Sequence, residues 1–472
     1  MSKRTQKTID MTTGSPFRHI IGFMMPTLVG YLFQQFYSMA DTVIIGRFLG
    51  EDALASVGAT GSINFMIIGF CMGLCSGFAI PIAQSFGAKD YSALRRFTVN
   101  SIYTSILFSV TIGVIVYLQC LNILRLMKTP DNIIQGSYTY LSILFIGIPV
   151  TVMYNLFSGI MRSLGDSRTP VYFLLFSSGI NIVLDLIMVR PLGIAGPAWA
   201  TVISQGVSAL LCILYMRKKF DILKTVPEER KLSFRHMGRL LYMGIPMGLQ
   251  YSITAIGSVV LQSAVNVLGS TYVASTATAA KVTMFFACPF DAMGSTAATY
   301  GGQNIGAGRL DRISKGLRIQ ILIGLVYSTI ACIIMWAFGT NLVKIFLDEP
   351  SELLLQNTAL YLRCNSAAYF LLALVNIIRF LIQGMGFPIL AICAGIFEMI
   401  ARAFAGAVLV KRFGYIAACL ASPLAWVLAD IFLIIAYLRV MKNLKRRLRP
   451  DGIPAEIQSE ALTGPGDRQD RT

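Results

Sequence analysis

Asp, Glu, Lys and Arg make up only 13% of this sequence, about half of what a soluble domain carries. The shortage is uneven. Residues 53–88, 97–124, 133–161, 192–216, 240–280 and 319–343 contain none of the four, and each stretch exceeds the roughly 20 apolar residues that cross a bilayer as a helix. A soluble enzyme is excluded. Histidine is nearly missing too: His19 and His236 are the only two, both beside expected cytoplasmic boundaries, which leaves little for a zinc site or an imidazole acid–base group. The nine cysteines are scattered without a CxxC spacing. Cys71 and Cys75 share a helix face inside an apolar run, as small core residues do. Period-two alternation is lacking as well, so transmembrane β-strands of about ten residues do not fit. Helices, which satisfy their own backbone groups in lipid, remain.

What the chain does contain is apolar sequence, 55% of 472 residues. Cutting at charge clusters and Gly/Pro breaks predicts an all-α membrane protein of twelve transmembrane helices, near 17–45, 53–79, 95–119, 134–158, 170–189, 197–216, 239–267, 272–299, 314–338, 354–379, 388–410 and 415–438. No cleavable signal peptide is expected, because the sequence ahead of Phe17 is polar and the first apolar run is too long for one. The net charge of +17 is a matter of placement. With the N-terminus in the cytoplasm, 30 of the 40 Lys+Arg fall on the inner side, counting Arg379 at the inner end of span 10, and eight on the outer side. The positive-inside rule then predicts a plasma-membrane protein with both termini cytoplasmic. Lys219 and Lys445 are expected inside, Asp131 and Glu349 outside. The basic surplus reads as topology and contact with lipid headgroups, not as nucleic-acid binding.

The chain also repeats itself. Pro26 and Tyr31 recur as Pro246 and Tyr251. Gln84-x-x-Gly87-Ala88 recurs as Gln303-x-x-Gly306-Ala307, and Asn155 and Gly165 recur as Asn376 and Gly386, all at nearly one offset. The unit is six spans, an even number, so both copies enter the membrane in the same sense. Two six-helix bundles related by a pseudo-two-fold axis along the membrane normal are expected, with a cavity between them. The domain plan is a cytoplasmic tail 1–16, a first lobe 17–216, a basic linker 217–238, a second lobe 239–440 and a polar tail 441–472.

Five acidic residues fall inside spans: Asp41, Asp185, Asp291, Glu398 and Asp430. Each would cost roughly 2.5–3.5 kcal/mol at mid-bilayer, which makes each a functional candidate. Asp41 lies six residues before Arg47 and Asp185 five before Arg190, so both sit about 7–9 Å inside the outer boundary. Asn181 shares the face of Asp185, and Thr201 enters span 6 at a similar depth. These four could form an oxygen cage for a transient Na⁺, or a carboxylate pair that takes a proton. Glu398 and Arg402, four apart, read as a self-neutralising structural pair whose charges could be removed together without an orphan. Gln34, Tyr37, Gln250, Lys281, Met284 and Asp291 are candidates to line a substrate cavity, and Pro26 is a candidate hinge in the first helix.

The run Gln35-Phe-Tyr-Ser-Met-Ala-Asp41-Thr-Val-Ile-Ile-Gly46-Arg-Phe-Leu-Gly50 resembles the first span of the MATE (multidrug and toxic compound extrusion) transporters. So do Gln84-Ser-Phe-Gly-Ala88, Arg162-Ser-Leu-Gly-Asp-Ser-Arg-Thr-Pro170 and Asn181-Ile-Val-Leu-Asp185. The resemblance spans about residues 15–440. It implies an antiporter without cofactor that exports small organic, often cationic, compounds in exchange for H⁺ or Na⁺, and a monomer. It also implies that Asp41, Asn181, Asp185 and Thr201 form the cation site. Some members use acidic residues in spans 7 and 10, but no Asp or Glu occurs here between Glu229 and Asp291 or between Glu352 and Glu398. Three other readings compete. A sugar or drug carrier of the major facilitator type also has six plus six spans, but its loop after span 2 carries a compact Gly-Asp-Arg-Gly-Arg-Arg-like signature where this chain reads Gly87-Ala-Lys-Asp-Tyr-Ser-Ala-Leu-Arg-Arg96. A lipid-linked oligosaccharide flippase would show more spans and more buried cations, and a membrane-embedded enzyme would need a nucleophile or acid–base set near an interface.

Overall fold

The computed structural model describes residues 8–344 and 351–447, so Glu349 lies outside the described residues. The elements are α1 (Pro16–Leu49), α2 (Glu51–Gly87), α3 (Tyr91–Leu126), α4 (Asp131–Ile146), α5 (Ile148–Ser163), α6 (Arg168–Leu192) and α7 (Ala195–Lys219), and, after two short 3₁₀ turns, α8 (Phe234–Asn266) and α9 (Ser270–Gly306). The chain continues through α10 (Leu310–Lys344), α11 (Glu352–Ala367), α12 (Tyr369–Gly384), α13 (Pro388–Phe404), α14 (Val410–Phe413) and α15 (Tyr415–Arg447). Among the described residues nine helices are long and apolar enough to cross a membrane, and eleven once the bent pairs α4–α5 and α11–α12 each count as one span. The twelfth span is α1. Its 34 residues give ample length, but Gln34, Gln35, Asp41 and Arg47 dilute its hydropathy.

The repeat is visible in the backbone. α4 and α5 bend by 48° and α11 and α12 by 49°, at Gly147 and at Ala368, equivalent positions of the two copies. Gly165 and Gly386 both close the turn after these pairs with positive φ, 88° and 99°, a conformation glycine alone adopts without strain. At Gly165 a side chain would also strike the carbonyl of Ile9. One difference breaks the symmetry: between α13 and α14 the chain makes a π-helical turn, Ala405–Leu409.

Burial is inverted relative to a water-soluble bundle. On α3 the buried residues include Asn100, Ser101, Thr104, Ser105 and Ser109, while Ile106, Leu107, Val110, Val114 and Ile115 are exposed. α10 repeats the pattern, burying Gln320 and Ser328 and exposing Leu322, Val326, Ile330 and Ile333. Small polar groups inside and branched apolar groups outside is the arrangement that lipid as solvent selects.

By compactness the chain divides within α1 and α8. Among the described residues the first unit takes in Val29–Gly248, and the second takes in Thr12–Leu28 together with 249–447. The first unit is built around Phe78, Phe97, Phe145, Leu156 and Phe220. In the second, Phe290 sits edge-on to Tyr327 and Tyr369, with ring centres 5.2 and 5.5 Å apart.

Within the first unit the start of α8 crosses α2 at very short range. Gly73 and Gly77 face Gly244 and Gly248: a Cβ on Gly77 would stand 2.5 Å from the Gly244 Cα, and one on Gly73 2.5 Å from the Met247 carbonyl oxygen. Paired small-xxx-small motifs let helix backbones touch in lipid. Gly77→Val puts three carbons where only backbone lies, so it is expected to cost about 3 kcal/mol. Thermal melting in detergent checks this, and an unchanged melting temperature would mean the two backbones part freely.

The linker is clamped to the start of α3. Arg95 donates a fork to Glu229, Nε to Oε2 at 2.6 Å and Nη2 to Oε1 at 2.7 Å, and Ser233 N donates to Asn100 Oδ1 at 2.8 Å. The Arg95 hydrogen bonds hold the Glu229 carboxyl down to about 2. A depressed carboxylate stabilises the fold above its ordinary range and loses that contribution as pH falls. The clamp is therefore intact at neutral pH and released only between an ordinary 4.5 and about 2.

Candidate cation site

The start of α6 is fixed by its own sequence. Asp166 accepts from Thr169 N at 3.0 Å and from the Thr169 hydroxyl at 2.6 Å, satisfying orphan groups at the helix start. This starts α6 at Arg168, and farther along it Asn181 and Asp185, one turn apart on one face, are 1% and 0% exposed. Asp41 arrives from α1, half-buried.

Asp41 and Asp185 stand within hydrogen-bonding reach of each other. Each thus faces another acceptor. Among the described residues, Asp41 Oδ1, both Asp185 oxygens and both amide atoms of Asn181 are buried with no hydrogen-bond partner. Two carboxylates this close cannot both ionise without a proton or cation between them. Two carboxylates and an amide oxygen are also the hard donors that Na⁺ prefers. The phenols of Tyr37, on α1, and Tyr140, on α4, lie close enough to feel both carboxylates. Thr201 is half-buried near the start of α7, and among the described residues no bond runs from its hydroxyl to either carboxylate.

Tyr140 is absent from the sequence-derived set. The signal was there: Tyr140 stands to Tyr361 as Gly147 stands to Ala368 at the bends, and Tyr361 lies within electrostatic reach of Arg402 in the second unit. Of the other candidates, Gln34 and Pro26 are half-buried, Pro26 within the unbroken α1. Lys281, Met284 and Asp291 are exposed on α9. Gln250 is buried and accepts from Gln383 Nε2 at 2.6 Å.

The second unit corrects one expectation. Glu398 and Arg402 are not a self-contained pair, because Arg379 Nη2 donates to Glu398 Oε1 while Arg402 Nη2 reaches Glu398 Oε2 at 3.4 Å. Arg379 is 4% exposed, so it does not belong to the inner surface where its place at a span end put it. The charge asymmetry loses one residue and keeps its sign.

Twelve membrane-crossing spans in two like halves, with facing carboxylates buried in the first, define a multi-pass membrane transporter. The family profile described as MatE matches residues 26–187 and again 246–428, the two matches starting at the equivalent prolines Pro26 and Pro246. The chain belongs to the MATE family of multidrug efflux transporters. It is 30% identical over 367 residues to YoeA of Bacillus subtilis, described as a probable multidrug resistance protein, covering 75% of this chain and 79% of YoeA. YpnP of the same organism, described likewise, is 29% identical over 346 residues, 73% of this chain and 77% of YpnP. In fold the chain is similar to an outward-facing multidrug resistance MATE transporter, with TM-score 0.87 and 22% identity over 94% of this chain and 100% of that one.

Proposed function

We propose that this protein is a secondary active antiporter of the plasma membrane. It exports small organic, often cationic, compounds in exchange for H⁺ or Na⁺ taken up at Asp41 and Asp185, with Asn181 and Thr201 as further oxygen donors. The observation that carries this reading is the pair of facing carboxylates whose Asp41 Oδ1 and two Asp185 oxygens are buried without a donor among the described residues, a site incomplete until a cation joins it. Uptake arises through alternating access of the two repeats, with α1 flexing at Pro26, and the protein works as a monomer without a cofactor. The test is uptake of a panel of cationic dyes by inverted vesicles under separately imposed H⁺ and Na⁺ gradients. Uptake indifferent to both gradients would sink the reading.

Both termini lie in the cytoplasm in this scheme. A single cysteine at Lys219 or Lys445 in a Cys-free background is expected to resist an impermeant maleimide in intact cells, and one at Asp131 to react. Labelling of position 219 from outside would reverse the orientation.

A further inference from the structure

The second unit holds a charged cluster that the first site does not use. Arg379 of α12, Glu398 and Arg402 of α13 and Asp430 of α15 are all at or below 8% exposure. Three of the four are tied together, Arg379 and Arg402 each donating to one oxygen of Glu398. Asp430 is not. Both of its oxygens are buried with no hydrogen-bond partner among the described residues, and the Nε of Arg379 is idle as well. Yet Arg379 and Asp430 lie within electrostatic reach of each other. Tyr251 of α8 lies within electrostatic reach of Arg379, and Tyr361 of α11 within that of Arg402.

We propose that Asp430 is a second proton-binding site, and that Arg379 is the group its protonation state moves. A carboxylate stripped of water and given no donor is not held in its charged form. The geometry is that of the protonated acid, with Arg379 committed to Glu398 and the cluster carrying one excess positive charge. Loss of the proton breaks the Asp430 O–H bond, releases H⁺ to water and leaves an anion facing Arg379. The guanidinium still has an idle Nε–H, and its fork suits a carboxylate. Arg379 then divides between Glu398 and Asp430, the cluster becomes neutral, and α12 is drawn toward α15. The second repeat thus gains its own response to protons, at residues shared with no part of the Asp41–Asp185 site.

The molecule carries its own reporter. Trp426 precedes Asp430 by one helical turn on α15 and is 6% exposed; the remaining tryptophans are Trp199 and Trp336. In lipid nanodiscs, the full chain with Trp199→Phe and Trp336→Phe is expected to show one emission transition as pH is varied. Asp430→Asn should abolish it, and Asp41→Asn with Asp185→Asn should leave it in place, which separates this site from the first. Arg379→Gln removes the facing cation and leaves Glu398 paired with Arg402, so the midpoint should rise by about one pH unit. The absence of a transition in the parent protein overturns the proposal. So does a transition that survives Asp430→Asn, one that disappears with Asp41 and Asp185, or a midpoint that Arg379→Gln fails to move. If Asp430→Asn does not fold, the Arg379→Gln midpoint decides.

Discussion

Asp41→Asn and Asp185→Asn are each expected to reduce gradient-driven export to the level of vesicles without a gradient, with membrane abundance unchanged. The amide keeps the shape of the carboxyl. It also supplies a donor where two acceptors now face each other, since Asp41 and Asp185 lie in hydrogen-bonding reach and Asp185 has no other partner among the described residues. Folding should therefore hold or improve. What is lost is the cycle: a fixed amide–carboxylate bond has the strength of a neutral-to-ionic hydrogen bond, and it neither takes up nor gives back a cation. Drug resistance and vesicle uptake at matched protein levels check both variants. Near-wild-type resistance in either would remove that residue from the coupling site.

The second large effect is on stability. Glu398→Gln leaves Arg379 and Arg402 buried with one carboxyl, Asp430, to balance two guanidinium groups. Removing one partner of a buried pair costs about 3–5 kcal/mol because the remaining charge has lost both water and counter-ion. A loss of that size should appear as a large drop in melting temperature. Glu398→Gln combined with Arg402→Met should recover most of it, because Asp430, facing Arg379 alone, then gives up its proton and the charges balance. The recovery does not follow from the Glu398–Arg402 pair alone, as the sequence spacing suggested; it needs the fourth member. A double variant less stable than Glu398→Gln would show that Asp430 does not take up Arg379.

The spans were legible because a bilayer penalises each charge on each helix separately. A long gap without charges therefore means the same thing whatever packs beside it. The duplication was legible for a similar reason: Gly165 and Gly386 answer one local backbone demand, a positive φ, that both copies repeat. Asp41 and Asp185 could be placed at one depth from their distances to Arg47 and Arg190, since rise per residue is fixed along a helix. Rotation about the helix axis is not fixed by the sequence of one helix. Arg379, near the inner end of its span, would look the same whether it snorkelled to the surface or turned inward to Glu398 on the next helix. The i,i+4 spacing of Glu398 and Arg402 drew attention to the nearer partner, at 3.4 Å, over the more distant one in sequence. Tyr140 and the crossing of Gly73 and Gly77 on Gly244 and Gly248 likewise depend on how helices turn toward one another. Depth in the membrane is a one-dimensional property and is written in the chain. The choice of which buried charge meets which is made only when neighbouring helices pack, because a desolvated group is stabilised by whatever partner geometry brings within reach.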